Sequence, residues 1–185
     1  MKPFETPTQC CYQTPMDDSF CAIPWNTSAA WQEANTSLKH VLQHQRPELD
    51  ESFRLAHGLH DQLTSIFPLM DRLCRTTCPD CVDVCCQRAW VWADFKDLLF
   101  LHLAGIPVPD HQLLFRQEDH CRYASPDGCR LDRIQRPFVC TWYLCPAQTQ
   151  HLRQAPAEMK RITEPLQQIK ACRKKMEISF IRTVS

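Results

Sequence analysis

The chain has 185 residues, and 21 Lys and Arg balance 21 Asp and Glu, for a formal net charge of zero. That balance gives no electrostatic footprint for nucleic acid or an anionic membrane. With only three glycines (Gly58, Gly105, Gly128), neither a P-loop nor a dinucleotide-binding fingerprint can be built.

Residues 1–26 carry Pro, Thr and Cys without periodicity and read as an extended arm. Met-Lys-Pro-Phe-Glu-Thr-Pro lacks the apolar core of a signal peptide, so a cytoplasmic chain is expected. The longest apolar stretch, Leu98 to Ile106, is interrupted by His102 and is too short to span a bilayer. Asn26-Thr27-Ser28 is a capping signal for a first helix with an apolar stripe of Trp31, Ala34, Leu38, Val41 and Leu42. Gln45-Arg46-Pro47 ends it. A second helix carries Leu49, Phe53, Ala56, Leu63 and Ile66, and Pro68 opens a further turn reaching Leu73 and Cys74. Residues 27–74 are therefore expected as a helical hairpin packed on a cysteine-rich unit at 75–147.

Trp90-Val91-Trp92 alternates briefly, and an apolar helix follows from Asp94 to Leu103, closed by Gly105. Pro107 and Pro109 make a rigid turn, and Ser125-Pro126-Asp127-Gly128 is a turn signal among the short segments of 117–145. Phe138 to Leu144 reads as a short strand. Residues 148–185 hold a basic amphipathic helix from Pro156 to Met176, kinked at Pro165, and a terminal strand from Ile178 to Val184. The fold class is mainly α, with a small α+β variant possible, packed as one globular unit around an irregular cysteine-rich core.

Chemistry is concentrated in eight of the 13 cysteines: Cys78, Cys81, Cys85 and Cys86, then Cys121, Cys129, Cys140 and Cys145. A reducing interior leaves a metal as the usual reason to gather thiols, because soft thiolates suit zinc and iron–sulfur clusters. If Cys78 to Cys86 is helical, Cys78, Cys81 and Cys85 share one face and Cys86 projects away. Cys140 or Cys145 would complete a four-sulfur set. The spacing matches neither a bacterial ferredoxin nor a two-knuckle zinc ribbon.

The order Cys-x₂-Cys-x₃-Cys-Cys, an aspartate (Asp94 or Asp97), Gly105, Cys121, Cys129, Arg136-Pro137-x-x-Cys140 and Cys145 resembles the YkgJ-like cysteine-cluster family. That family is described as a zinc- or iron-chelating domain, and the resemblance covers residues 74–147. It implies metal binding. The family's cluster also occurs fused to a flagellin lysine methylase, but no methyl-donor pattern is present here.

Bland readings stand beside these. A disulfide framework would need an oxidising compartment. Cys86 and Cys121 are the least certain ligands, since free cysteine is often simply buried. Cys10, Cys11 and Cys21 read as dispensable, and Cys74 and Cys172 as structural. The pairs His40/His44 and His57/His60 read as solvated or capping, while His120 beside Cys121 is a substitute ligand. Arg136-Pro137 reads both as a rigid turn presenting Cys140 and as a charge offsetting thiolates. Trp90, Trp92 and Trp142 are expected in the core around the centre. The sequence thus predicts a cytoplasmic protein binding zinc or an iron–sulfur cluster in a structural, electron-transfer or sensing role. A protein partner is allowed for, and no nucleic acid or membrane is expected. An enzyme using the centre for redox or protein-modification chemistry and a metal carrier are the alternatives; no convergent acid–base set favours the enzyme.

Overall fold

The computed structural model describes residues 23–79, 91–113, 121–125 and 128–185. Among these the chain is mainly helical, with six helices and one two-stranded sheet. Helix α1 (Ser28–His44) and helix α2 (Asp50–Thr77) are joined by a 3₁₀ turn at Arg46–Leu49. Helix α3 is Phe95–Leu103. Strands β1 (Ala124–Ser125) and β2 (Gly128–Cys129) pair antiparallel, with Ala124 opposite Cys129. A 3₁₀ turn at Arg133–Gln135 leads into α4 (Val139–Trp142), α5 (Pro146–Arg153) and α6 (Pro156–Val184).

The two long helices form the frame. On α2 the buried positions are Ser52, Ala56, Leu59, Leu63, Ile66, Met70 and Leu73. On α6 they are Ile162, Leu166, Ile169, Arg173, Met176 and Phe180. Both sets step by alternating threes and fours, the rhythm that keeps one seam facing a partner helix. Ser52 Oγ donates to Ser179 Oγ at 3.1 Å, and the Cys172 thiol donates to the Leu55 carbonyl at 3.7 Å. As α2 advances, α6 recedes, so the pair is antiparallel.

Both helices run through a proline, where the sequence predicts a further turn opening at Pro68 and a kink at Pro165. An interior proline costs about 3 kcal/mol. Each fully buried Leu, Ile or Met beside it contributes roughly 1.5–3 kcal/mol. Four seam residues, Leu63, Ile66, Met70 and Leu73, bracket Pro68, and their burial outweighs that cost. The same seam corrects the expected terminal strand at Ile178 to Val184. Met176 and Phe180 continue the stripe, and the segment is the last part of α6.

Helix α3 packs against α1, α2 and α6. Asp97, Leu98, Leu99, Phe100, Leu101 and Leu103 are all buried, as expected for a helix apolar on every side. The Asp94 side chain accepts from Asp97 N–H at 2.8 Å, and Asp97 Oδ2 accepts from Asp94 N–H at 3.0 Å, a reciprocal capping box. At the other end, Ile106 N–H donates to Leu101 O and Gly105 N–H to His102 O. This is the Schellman pattern, and Gly105 supplies its left-handed residue at φ 68°. The first helix begins as the sequence predicts, with Ala30 N–H donating to Thr27 Oγ1 at 3.1 Å. The Trp31 indole N–H then ties α1 to the Pro109 carbonyl at 2.8 Å. No helix among the described residues is long and apolar enough to cross a membrane.

Candidate metal centre

Three segments meet at the C-terminal end of α2: the 3₁₀ turn Arg133–Gln135, helix α5 and the last turns of α2 itself. Their meeting is organised by a few polar side chains. Arg133 Nε donates to Asp71 Oδ1 at 2.6 Å, fastening the turn to α2. Its Nη2 reaches Cys74 Sγ at 3.8 Å. Gln148, buried in α5, donates through Nε2 to the same sulfur at 3.6 Å. Its Oε1 accepts from Cys145 N–H at 3.2 Å, and its backbone N–H donates to the Cys145 sulfur. One glutamine therefore holds Cys74 and Cys145 together across two helices. Cys145 is the N-cap of α5, a helix that the sequence pattern does not reveal because cysteine is not a customary cap.

Cys140 is presented by a different device. The segment Phe138 to Leu144, read from sequence as a strand, forms the one-turn helix α4. Cys140 N–H donates to Pro137 O at 2.9 Å, closing that turn around the proline. Phe138 N–H donates to Asp97 Oδ1 at 2.9 Å, across 41 positions of sequence. Of Asp94 and Asp97, it is Asp97 that anchors the segment following Arg136-Pro137. Arg136 builds the turn by donating from Nε to Leu131 O at 3.0 Å.

Asp97 is also half of a buried ionic knot. Arg173 Nη1 lies 2.7 Å from Asp97 Oδ1, and Nη2 lies 3.1 Å from Asp94 Oδ1. The guanidinium sits over the Phe138 ring, 4.8 Å from its centroid. Burial pushes the Asp97 carboxyl up to about 6, with the neighbouring Asp94 charge adding to it against the pull of Arg173. Burial also acts to raise Asp94, but Arg173, the Asp97 N–H and Lys96 outweigh it and hold the group below the ordinary range. Helix α6 thus fixes α3, and α3 fixes the segment carrying Cys140.

The remaining predicted residues are placed as follows. Cys78 caps the C-terminus of α2, is exposed, and donates its N–H to Cys74 O at 2.8 Å. Cys121 is buried just before the hairpin, and its carbonyl accepts from Ala124 N–H at 3.0 Å. Cys129 is half-buried on β2. Cys81, Cys85 and Cys86, with the shared helical face expected for them, lie outside the described residues, as do Cys10, Cys11, Cys21, Trp90 and His120. Among the described residues, no group of three or more His, Cys, Asp or Glu side chains is placed to hold a metal ion. Trp142, expected in the core, is instead 37% exposed, with Tyr143 beside it in an edge-on contact. His40 and His44 stack on each other at 3.9 Å on the exposed face of α1.

Sequence reasoning missed three members of this arrangement: Cys74, which it read as structural, and Arg133 and Gln148, which it did not single out. Cys74 had a signal: Cys74, Cys78, Cys81 and Cys85 are spaced by four, three and four, the rhythm of the α2 seam. Comparisons of the chain with models of known protein families, with curated proteins and with solved structures found no match.

Proposed function

We propose that this chain is a cytoplasmic metal-binding protein of the YkgJ-like type, holding zinc or an iron–sulfur cluster through cysteines. Its ligands are drawn from Cys78, Cys81, Cys85, Cys86, Cys121, Cys129, Cys140 and Cys145. The observation that carries this reading is the Gln148 clamp, which ties Cys145 to Cys74 at the end of α2 and gives the Cys145 sulfur a backbone N–H donor. Thiolates that bind metals are regularly supported by such outer donors, which fix the ligand and spread its charge. The donor set fits a soft metal, since the nearby side chains offer sulfur as ligand and cationic or amide N–H groups as support. The centre's role is structural, electron-transferring or sensing, and the even charge balance gives no electrostatic footprint for nucleic acid or an anionic membrane.

Single serine variants at Cys140 and Cys145, purified without oxygen beside the parent, test the assignment. Each should lose most of the metal that the parent retains, because serine is a poor ligand where a charged sulfur is needed. Full metal content in both variants would remove these residues from the centre.

A further inference from the structure

We propose that Cys74 is a further ligand of this centre, extending the sulfur set one turn back along α2; this rests on the reading above. The family pattern does not include Cys74, and its position within a helix gives it an ordinary structural role by default. Its hydrogen bonds argue otherwise. The sulfur accepts from Gln148 Nε2 at 3.6 Å and from the guanidinium of Arg133 at 3.8 Å, donors carried by two different segments. A neutral thiol is a weak acceptor, whereas a thiolate or metal-bound sulfur is a strong one. Two donors from separate segments aimed at one half-buried sulfur are the outer support that a metal-bound sulfur regularly receives.

Cys172 shows the contrasting arrangement in the same molecule. Its sulfur donates to a backbone carbonyl, Leu55 O, at 3.7 Å, and burial pushes its thiol up, so it is kept protonated. Both cysteines are half-buried on long helices, and they differ in which way the hydrogen bond runs. Position supports the assignment too. Cys74 lies one helical turn from Cys78, whose N–H bonds to the Cys74 carbonyl at 2.8 Å, so the two side chains project on the same side of α2. The Gln148 amide that holds Cys74 also holds Cys145. On binding, Cys74 would give up its thiol proton to solvent as the sulfur–metal bond forms.

The test compares Cys74→Ser and Cys172→Ser in the full chain, purified without oxygen, by metal content per chain. The metal-free proteins are then titrated with Co(II), and the thiolate-to-cobalt charge-transfer band is read. Cys74→Ser should retain half or less of the parent's metal and show a weaker band, and Cys172→Ser should match the parent in both. Parent-like metal and band in Cys74→Ser would overturn the assignment. Site-resolved alkylation of the unmutated protein gives a second readout that does not depend on a variant folding. Metal should protect Cys74, and chelation should expose it, while equal labelling with and without metal counts against the proposal. A parent that holds neither its own metal nor cobalt would instead overturn the metal centre itself, and this inference with it.

Discussion

Replacing Arg173 by methionine should destabilise the protein by an amount that grows with pH. The guanidinium is only 5% exposed and serves two carboxylates, Asp97 (8% exposed) and Asp94 (41% exposed). Methionine keeps the length and the packing against Phe138 but leaves Asp97 buried without its cation. Breaking a buried pair in this way costs roughly 3–5 kcal/mol, because the remaining charge has no compensation. Here Asp97 keeps two N–H donors, from Phe138 and Asp94, so the lower end, about 3 kcal/mol at pH 8, is expected. Asp97 can also escape by taking a proton. Its folded pKa of about 6 already stands above the ordinary 3.8, so the folded state binds more protons than the unfolded state in that window. Such a group contributes stability that is present below 3.8 and lost as pH rises through the folded value. Without Arg173 that folded value climbs further, and the loss extends toward neutral pH. Urea denaturation followed by helical circular dichroism at pH 5, 6.5 and 8 reads the effect. Adding Asp97→Asn to Arg173→Met should recover part of the loss at pH 8, because the buried charge is then gone. A cost that is the same at every pH, or a double variant no better than the sum of its parts, would show that Asp97 and Arg173 are not coupled as described.

Three further outcomes follow from local geometry and composition. Gly105→Ala should cost about 1–2 kcal/mol from backbone strain alone, since φ is 68° and an added Cβ meets nothing within 4 Å; an unchanged denaturation midpoint would count against the Schellman assignment. Pro68 is exposed in the middle of α2, so Pro68→Ala should raise stability by about 1–3 kcal/mol in the same assay, and a loss would mean that the proline has a role beyond the helix. Serine at Cys10, Cys11 and Cys21 together should leave metal content per chain unchanged, whereas loss of a metal equivalent would place one of them in a second site.

What the sequence discloses depends on whether the deciding interaction is local. The start of α1 at Thr27, the end of α3 at Gly105 and the stripe of α2 are local matters of capping and period, and they are legible. The continuity of α2 through Pro68 and the extension of α6 over Ile178 to Val184 are not, because they are decided by the seam that each helix gives the other. The strand expected at Phe138 to Leu144 gives way to a helical turn for a similar reason. Asp97, 41 positions away, takes the Phe138 N–H, and Pro137 starts the turn. For the candidate centre, the concentration of cysteines and the Arg136-Pro137 segment stand out in the sequence. The partners that position them do not: Gln148, Arg133 and Arg173 come from separate elements, and no spacing rule links a glutamine in α5 to a cysteine in α2.

The central claim is that the cysteines hold a metal. The most direct measurement is elemental analysis, with an absorption spectrum, of the full chain made and purified without oxygen. A colourless protein with stoichiometric zinc, or a brown one with iron and sulfide, is the predicted result, and the two distinguish a zinc site from an iron–sulfur cluster. A folded, reduced protein that contains neither and takes up neither on reconstitution would contradict the account.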